Sequence, residues 1–124
     1  MLPLNPQTMM KFSSSDVDVI LAALYDFVET DFSEIWSKKQ CCENRQIALR
    51  VIKKFENKDT DFTIGEIELS HVALCFLGEY LECLPENELT SSQKQLIALF
   101  PYVQSKLTAI LDCFSRVKLD SDGN

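Results

Sequence analysis

Residues 62–85 read FTIGEIELSHVALCFLGEYLECLP. Thr63 and Glu66 stand three apart, the form of a capping box. In that arrangement the N-cap hydroxyl accepts from the N3 amide and the N3 carboxylate reaches back to the N-cap amide. Phe62 and Ile67 occupy the two positions of a hydrophobic staple around it. From there Ile67, Leu69, Val72, Ala73, Leu74, Cys75, Phe76, Leu77, Tyr80, Leu81 and Leu84 spread over most of a helical circumference, until Pro85 stops the run. A helix that is apolar nearly all round is a buried one. The stretch therefore predicts an α-helix to about Leu84 at the centre of an all-α fold.

Working outward, the same periodicity recurs. Ile47, Ala48, Val51, Ile52 and Phe55 mark a helix from near Cys42 to Phe55 or Glu56, with Arg50, Lys53 and Lys54 off the stripe. A polar loop, Asn57 to Asp61, follows it. Downstream, Thr90-Ser-Ser-Gln93 repeats the capping-box form. It opens a stripe of Leu96, Ile97, Phe100, Val103, Leu107, Ile110, Leu111 and Phe114 that ends near Lys118. Pro101 interrupts it at a cost of about 3 kcal/mol in a helix interior, which predicts a kink or a break. Upstream, Ser13-Ser14-Ser15 offers N-caps before Asp16 and Asp18. Apolar positions at Val17, Ile20, Leu21, Leu24, Phe27 and Val28 continue through Phe32, Ile35 and Trp36. With no Gly or Pro between them, one long helix from Asp16 to Lys38 is expected, with Thr30-Asp31 as the place where it would bend.

Only three Gly and four Pro occur in 124 residues, and Pro3 and Pro6 fall in the first six. A β-sandwich or barrel needs turn residues every 8–12 positions or so, and they are missing. The expectation is a compact, mainly antiparallel bundle of four helices, or five if Pro101 breaks the last. The single domain spans 13–119, after an irregular segment 1–12 and before a flexible tail 120–124. The doublet Met9-Met10 offers a second place for translation to start.

The formal net charge is −7, which would repel a phosphate backbone and argues against nucleic-acid partners. Acids crowd residues 16–34 (Asp16, Asp18, Asp26, Glu29, Asp31, Glu34) and again 66–88, with a basic helix between them. That alternation suggests electrostatic pairing of neighbours, although such runs also occur as plain solvated faces. The five cysteines, an odd number without a leader-like segment, argue against a disulfide framework and for a reducing compartment, the cytoplasm. The longest apolar run, Val72 to Gly78, is too short to span a bilayer, so no membrane partner is expected.

Two sites have a chemical character. Cys41 and Cys42 are flanked by Lys38, Lys39 and Arg45 just before an expected helix start, where positive charge and the helix N-terminus stabilise a thiolate. The plain alternative is a pair of incidental cysteines. His71 and Cys75 lie four apart and could line an inter-helix pocket with Cys83 or Cys113, but the spacing lacks paired metal-ligand knuckles. No G-x-S-x-G elbow or Gly-rich phosphate loop is present, so neither catalysis nor a cofactor is expected. The expected function is a non-catalytic protein–protein interaction module (an adaptor, an inhibitor or immunity-type protein, or an assembly subunit) that uses an acidic helical surface formed by Asp16, Asp18, Asp26, Glu29, Asp31 and Glu34. Its partner would be another protein or a second copy of itself. The alternative is a small-molecule- or metal-responsive helical domain with a pocket near His71 and Cys75.

Overall fold

A computed structural model describes residues 12–122 of the chain, with side chains as far as Cys113. The expected lead-in up to Lys11, the Met9-Met10 doublet and residues 123–124 lie outside the described residues. Four helices follow one another: α1 Ser14–Glu29, α2 Lys38–Glu56, α3 Ile64–Glu82 and α4 Ser91–Asp122, with a short 3-10 turn at Glu86–Glu88 before the last. They pack against each other as a four-helix bundle, and the described residues contain no strand.

The caps explain most of the boundaries. At α3 the Thr63 hydroxyl accepts from the Glu66 amide at 3.2 Å, and the Glu66 carboxylate accepts from the Thr63 amide at 2.8 Å. At α4 the Gln93 side-chain oxygen accepts from the Thr90 backbone amide at 2.9 Å, and the Gln93 backbone amide donates to the Thr90 hydroxyl at 3.1 Å. Ser13 and Asp16 make a third capping box at α1. At the other end of α2, Lys58 takes a left-handed φ of 57°. Its amide reaches the Phe55 carbonyl and that of Asp59 reaches the Lys54 carbonyl, the pair of bonds of a Schellman closure.

Two boundaries correct the sequence expectation. The long first helix does not form: α1 ends at Glu29, and the Thr30 hydroxyl bonds the Asp26 carbonyl at 2.7 Å. Asp31 then accepts from the Ser33 amide at 2.9 Å in an Asx turn that leads the chain away from the helix axis. The second helix starts at Lys38, earlier than Cys42, because Ser37 is its N-cap and accepts from the Gln40 amide at 3.1 Å. Pro101, by contrast, does not divide the last helix, and the bundle has four helices. Pro101 lies on the exposed side of α4, where solvent can take over the hydrogen bond its ring removes. The helix runs beyond Lys118, to Asp122.

The bundle is not square. Among the described residues α1 and α3 pack against each other and against both remaining helices, while α2 and α4 do not meet. The short diagonal is the core: Val19, Ile20, Ala23, Leu24 and Phe27 from α1 meet Ile67, Leu69, Ala73, Leu74, Leu77 and Leu81 from α3. The expected central helix α3 thus shares its place with α1. The outer helices bury less, Ala48, Val51 and Ile52 from α2 and Val103, Leu107, Ile110 and Cys113 from α4. Direction alternates along the chain. Across the α3–α4 seam, Gly78 faces Phe100, Cys75 faces Gln104 and His71 faces Thr108, an antiparallel register.

Glycine shows how local this packing is. A Cβ on Gly65, in the first turn of α3, would come no closer than 3.9 Å to the Thr63 hydroxyl, whereas one on Gly78 would lie 2.5 Å from the Phe100 ring. Gly65→Ala is expected to stabilise by about 0.5 kcal/mol through helix propensity. Gly78→Ala should destabilise by about 1 kcal/mol, since overpacking outweighs the same propensity gain. Urea denaturation of the two variants checks the opposite signs.

Candidate functional site

The turn that ends α1 creates a cleft. Phe32 folds back against the bundle, its ring centroid 4.8 Å from Phe27, 4.8 Å from Phe76 of α3 and 5.1 Å from Trp36. This aromatic quartet sets the α1–α2 link in place. Beside it opens a cleft of about 410 Å³ lined by Phe27, Val28, Glu29, Thr30, Asp31, Phe32, Cys41, Cys42 and Arg45. Two groups of candidates that were separate in the sequence, the thiol pair and the end of the acidic run, therefore share one concavity.

The roles of these side chains differ. Phe27 is buried and Phe32 half-buried, which gives the cleft an apolar floor. Glu29 and Asp31 are exposed on its α1 side and Arg45 is exposed on its α2 side. Cys41 is half-buried with its Sγ 3.7 Å from the Trp36 carbonyl, and Cys42 is exposed beside the Gln46 amide at 3.8 Å. Because α2 begins at Lys38, both thiols sit past its first turn and not ahead of it. In that first turn the Ser37 hydroxyl accepts from the Gln40 amide and the Ser37 carbonyl from the Cys41 amide.

The six acids divide between the two ends of α1. Asp16 is engaged within the fold: it accepts from the Ser13 amide at 2.9 Å and from Lys106 Nζ at 3.0 Å. Its carboxyl would be pushed up by partial burial, but the Ser13 amide and Lys106 outweigh this and hold it below the ordinary Asp value. Asp18, exposed, borders a different cleft with Phe12, Val17, Phe55 and Phe62. Asp26, Glu29, Asp31 and Glu34 belong to the other end. There Asp26 is pushed above its ordinary value by burial and by the charge of Glu29, while Asp31 is held below it by the Ser33 amide.

That end of the bundle is a concentrated negative pole. Since α1 and α3 run the same way, their C-termini lie together, as the Phe27–Phe76 contact at 6.5 Å shows. Asp26 and Glu29 occupy the last turn of α1, Glu79 and Glu82 the last turn of α3, and neither turn holds a basic residue. Glu86 and Glu88 follow in the 3-10 turn. A helix C-terminus already carries roughly half a negative charge, so each carboxylate placed there costs about 0.3–1 kcal/mol where a lysine would contribute. Lys38 and Lys39 at the start of α2 offset part of this field. At the opposite end Arg50 and Lys54 reach Glu66 at 2.7 and 2.6 Å.

His71 and Cys75 do come together, Nδ1 to Sγ at 3.9 Å, on the α3–α4 seam. Thr108 lies 3.4 Å from His71 Nε2 and the Gln104 amide 3.7 Å from Cys75 Sγ, so polar groups of α4 close over the pair. Cys83 is exposed and Cys113 buried. Among the described residues no group of three or more His, Cys, Asp or Glu is placed to hold a metal ion. The stretch Ser91–Cys113 of α4 is, by length and composition alone, long and apolar enough to cross a bilayer, and 22% of its most apolar 18 residues are buried in the bundle. Apolar run length in the sequence had not shown this, because isolated polar residues divide the run. No family model, curated protein or solved structure matches the chain.

Proposed function

We propose that this protein is a non-catalytic interaction module that receives a basic segment of a partner protein at its acidic pole. The observation that supports this most is the cleft itself, in which an apolar aromatic floor lies beneath Glu29 and Asp31. A lysine or arginine side chain suits that pairing, its methylene stem on Phe27, Val28 and Phe32 and its charged head at the carboxylates. The surrounding carboxylates would raise the association rate and select basic over acidic partners, contributing more to specificity than to affinity. Placing acids at two helix C-termini costs stability, and a partner's cations would recover it.

Asp26→Asn measures that conflict. A carboxylate whose folded pKa is raised stabilises the fold below its ordinary range, and that contribution is lost as pH rises through the raised value. The variant is therefore expected to be more stable than the parent at pH 7 and equal to it at pH 3, by thermal melts, while binding its partner less well. The function is tested by affinity capture from the cell of origin at low and high salt. The comparison is between the parent, a pole variant (Asp26→Asn, Glu29→Gln, Asp31→Asn, Glu34→Gln) and a variant with four exposed acids neutralised elsewhere (Asp18→Asn, Glu56→Gln, Asp59→Asn, Glu68→Gln). A stoichiometric, salt-sensitive protein kept by the control and lost by the pole variant supports the reading. Equal loss from both variants would reduce it to general charge attraction and overturn it.

A further inference from the structure

The outer face of α4 raises a second question, independent of the acidic pole. The helix rests on α1 and α3 through Val103, Leu107, Ile110 and Cys113. Its other side presents Ala98, Pro101, Tyr102, Ser105 and Ala109 to solvent, and Tyr102, 75% exposed, is the most exposed large apolar side chain described. Next to it lies a shallow concavity of about 420 Å³ lined by Gln104, Ser105, Thr108, Ala109 and Asp112. Between Lys94 and Asp112 the only charge is Lys106, which is drawn inward to Asp16.

We infer that this face pairs with the same face of a second copy of the chain, the two α4 helices running antiparallel about a two-fold axis level with Val103. Charge selects the occupant and its direction. Two copies of net charge −7 repel over most of their surfaces, whereas between Lys94 and Asp112 this face opposes neither carboxylates nor a run of cations such as α2 carries. In the antiparallel register Lys94 of each copy stands opposite Asp112 of the other. Both are exposed, and neither belongs to an ion pair among the described residues. A parallel pairing would set lysine against lysine and aspartate against aspartate. The axis also sets Tyr102 of each copy beside Tyr102 of the other, on the same flank of the seam, the self-complementary contact that an isologous interface needs. Small residues at Ala98, Ser105 and Ala109 let the helices approach closely. The two acidic poles then point in opposite directions, so the pair offers two docking ends.

Sedimentation equilibrium of the full chain from about 1 to 100 µM tests this. A reversible species of twice the 14.2 kDa chain mass is expected. Lys94→Glu should weaken it about tenfold by placing two carboxylate pairs across the axis, and the double variant Lys94→Glu/Asp112→Lys should return to within about twofold of the parent. Ala98→Arg, at an exposed position, should abolish the dimer with unchanged helicity and thermal stability. A chain that is monomeric throughout the range overturns the inference, and does so equally if that monomer binds phosphatidylcholine vesicles, which would make the face a lipid contact. A dimer indifferent to Lys94→Glu, not restored by the double variant, or intact in Ala98→Arg overturns it as well.

Discussion

Replacing Glu66 by alanine is expected to destabilise the bundle by about 3 kcal/mol, measured by urea denaturation at pH 7. Glu66 is fully buried, and its carboxylate is the meeting point of three donors, Arg50 at 2.7 Å, Lys54 at 2.6 Å and the Thr63 amide at 2.8 Å. It closes the capping box of α3 and ties α3 to the C-terminal half of α2. Loss of the cap alone costs about 1 kcal/mol. Breaking a buried ion pair from one side typically costs about 3–5 kcal/mol, because the remaining charge is stranded. Here the Arg50 side chain is 54% exposed and can return to water, so the total falls at the lower end of that range.

The pH dependence follows from the same contacts. Burial would raise the Glu66 pKa, but Lys54, the Thr63 amide and Arg50 together hold it below its usual 4.5. A carboxyl depressed in the folded state contributes stability that is complete above its unfolded pKa and is lost as pH falls through the folded one. The gap in stability between the parent and Glu66→Gln should therefore be full at pH 7 and shrink as the solution is acidified below about pH 4.5. Asp16, lowered by its own contacts to Ser13 and Lys106, leaves a residual acid sensitivity of the same sign in Glu66→Gln. Adding Asp16→Asn should reduce it, leaving the smaller contribution of Asp31, which is lowered by the Ser33 amide. A gap that stays constant with pH would show that Glu66 acts through packing alone.

The second large effect is expected at Phe32. Phe32→Ala should cost about 3 kcal/mol and shift the emission of Trp36, the only tryptophan, to the red. The ring touches Phe27, Phe76 and Trp36, so its removal opens the quartet that seats the α1–α2 link. It also removes the floor of the cleft, and capture of a basic partner should fall with it. A loss below about 1 kcal/mol with unchanged emission would mean that the link is held by its Asx turn and the Ser37 cap, not by the aromatic rings.

The misplaced first helix shows where periodicity runs out. Phe32, Ile35 and Trp36 keep helical spacing with α1, and nothing in spacing separates a continuing helix from a turn whose aromatic residues fold back on the core. A local signal was present: Ser37-Lys-Lys-Gln40 has the same cap-to-N3 form that correctly placed α3 and α4. Thr30-Asp31, expected as a bend, is where the helix stops. Capping chemistry was the better guide because it acts within one turn of backbone, whereas an apolar stripe reports only on burial.

Other features needed the tertiary arrangement. The Glu66 capping box is legible in one segment, but its ion pairs depend on the register of α2 against α3. The basic helix between acidic ones hinted at such pairing, and Arg50 and Lys54 supply it. The cleft is less legible still. Its acids and thiols come from segments whose proximity depends on the turn at Thr30–Trp36, and the pole depends on α1 and α3 ending at the same end of the bundle.

The most direct test of the acidic pole as the docking site is a hydrogen-exchange footprint of the protein alone and in complex with the partner isolated by capture. Docking at the pole adds protection in residues 26–45, at the end of α1, the link and the first half of α2, with little change around Asp16, Glu66 or the Lys53–Asp61 region. Protection centred elsewhere, with residues 26–45 unaffected, would contradict it.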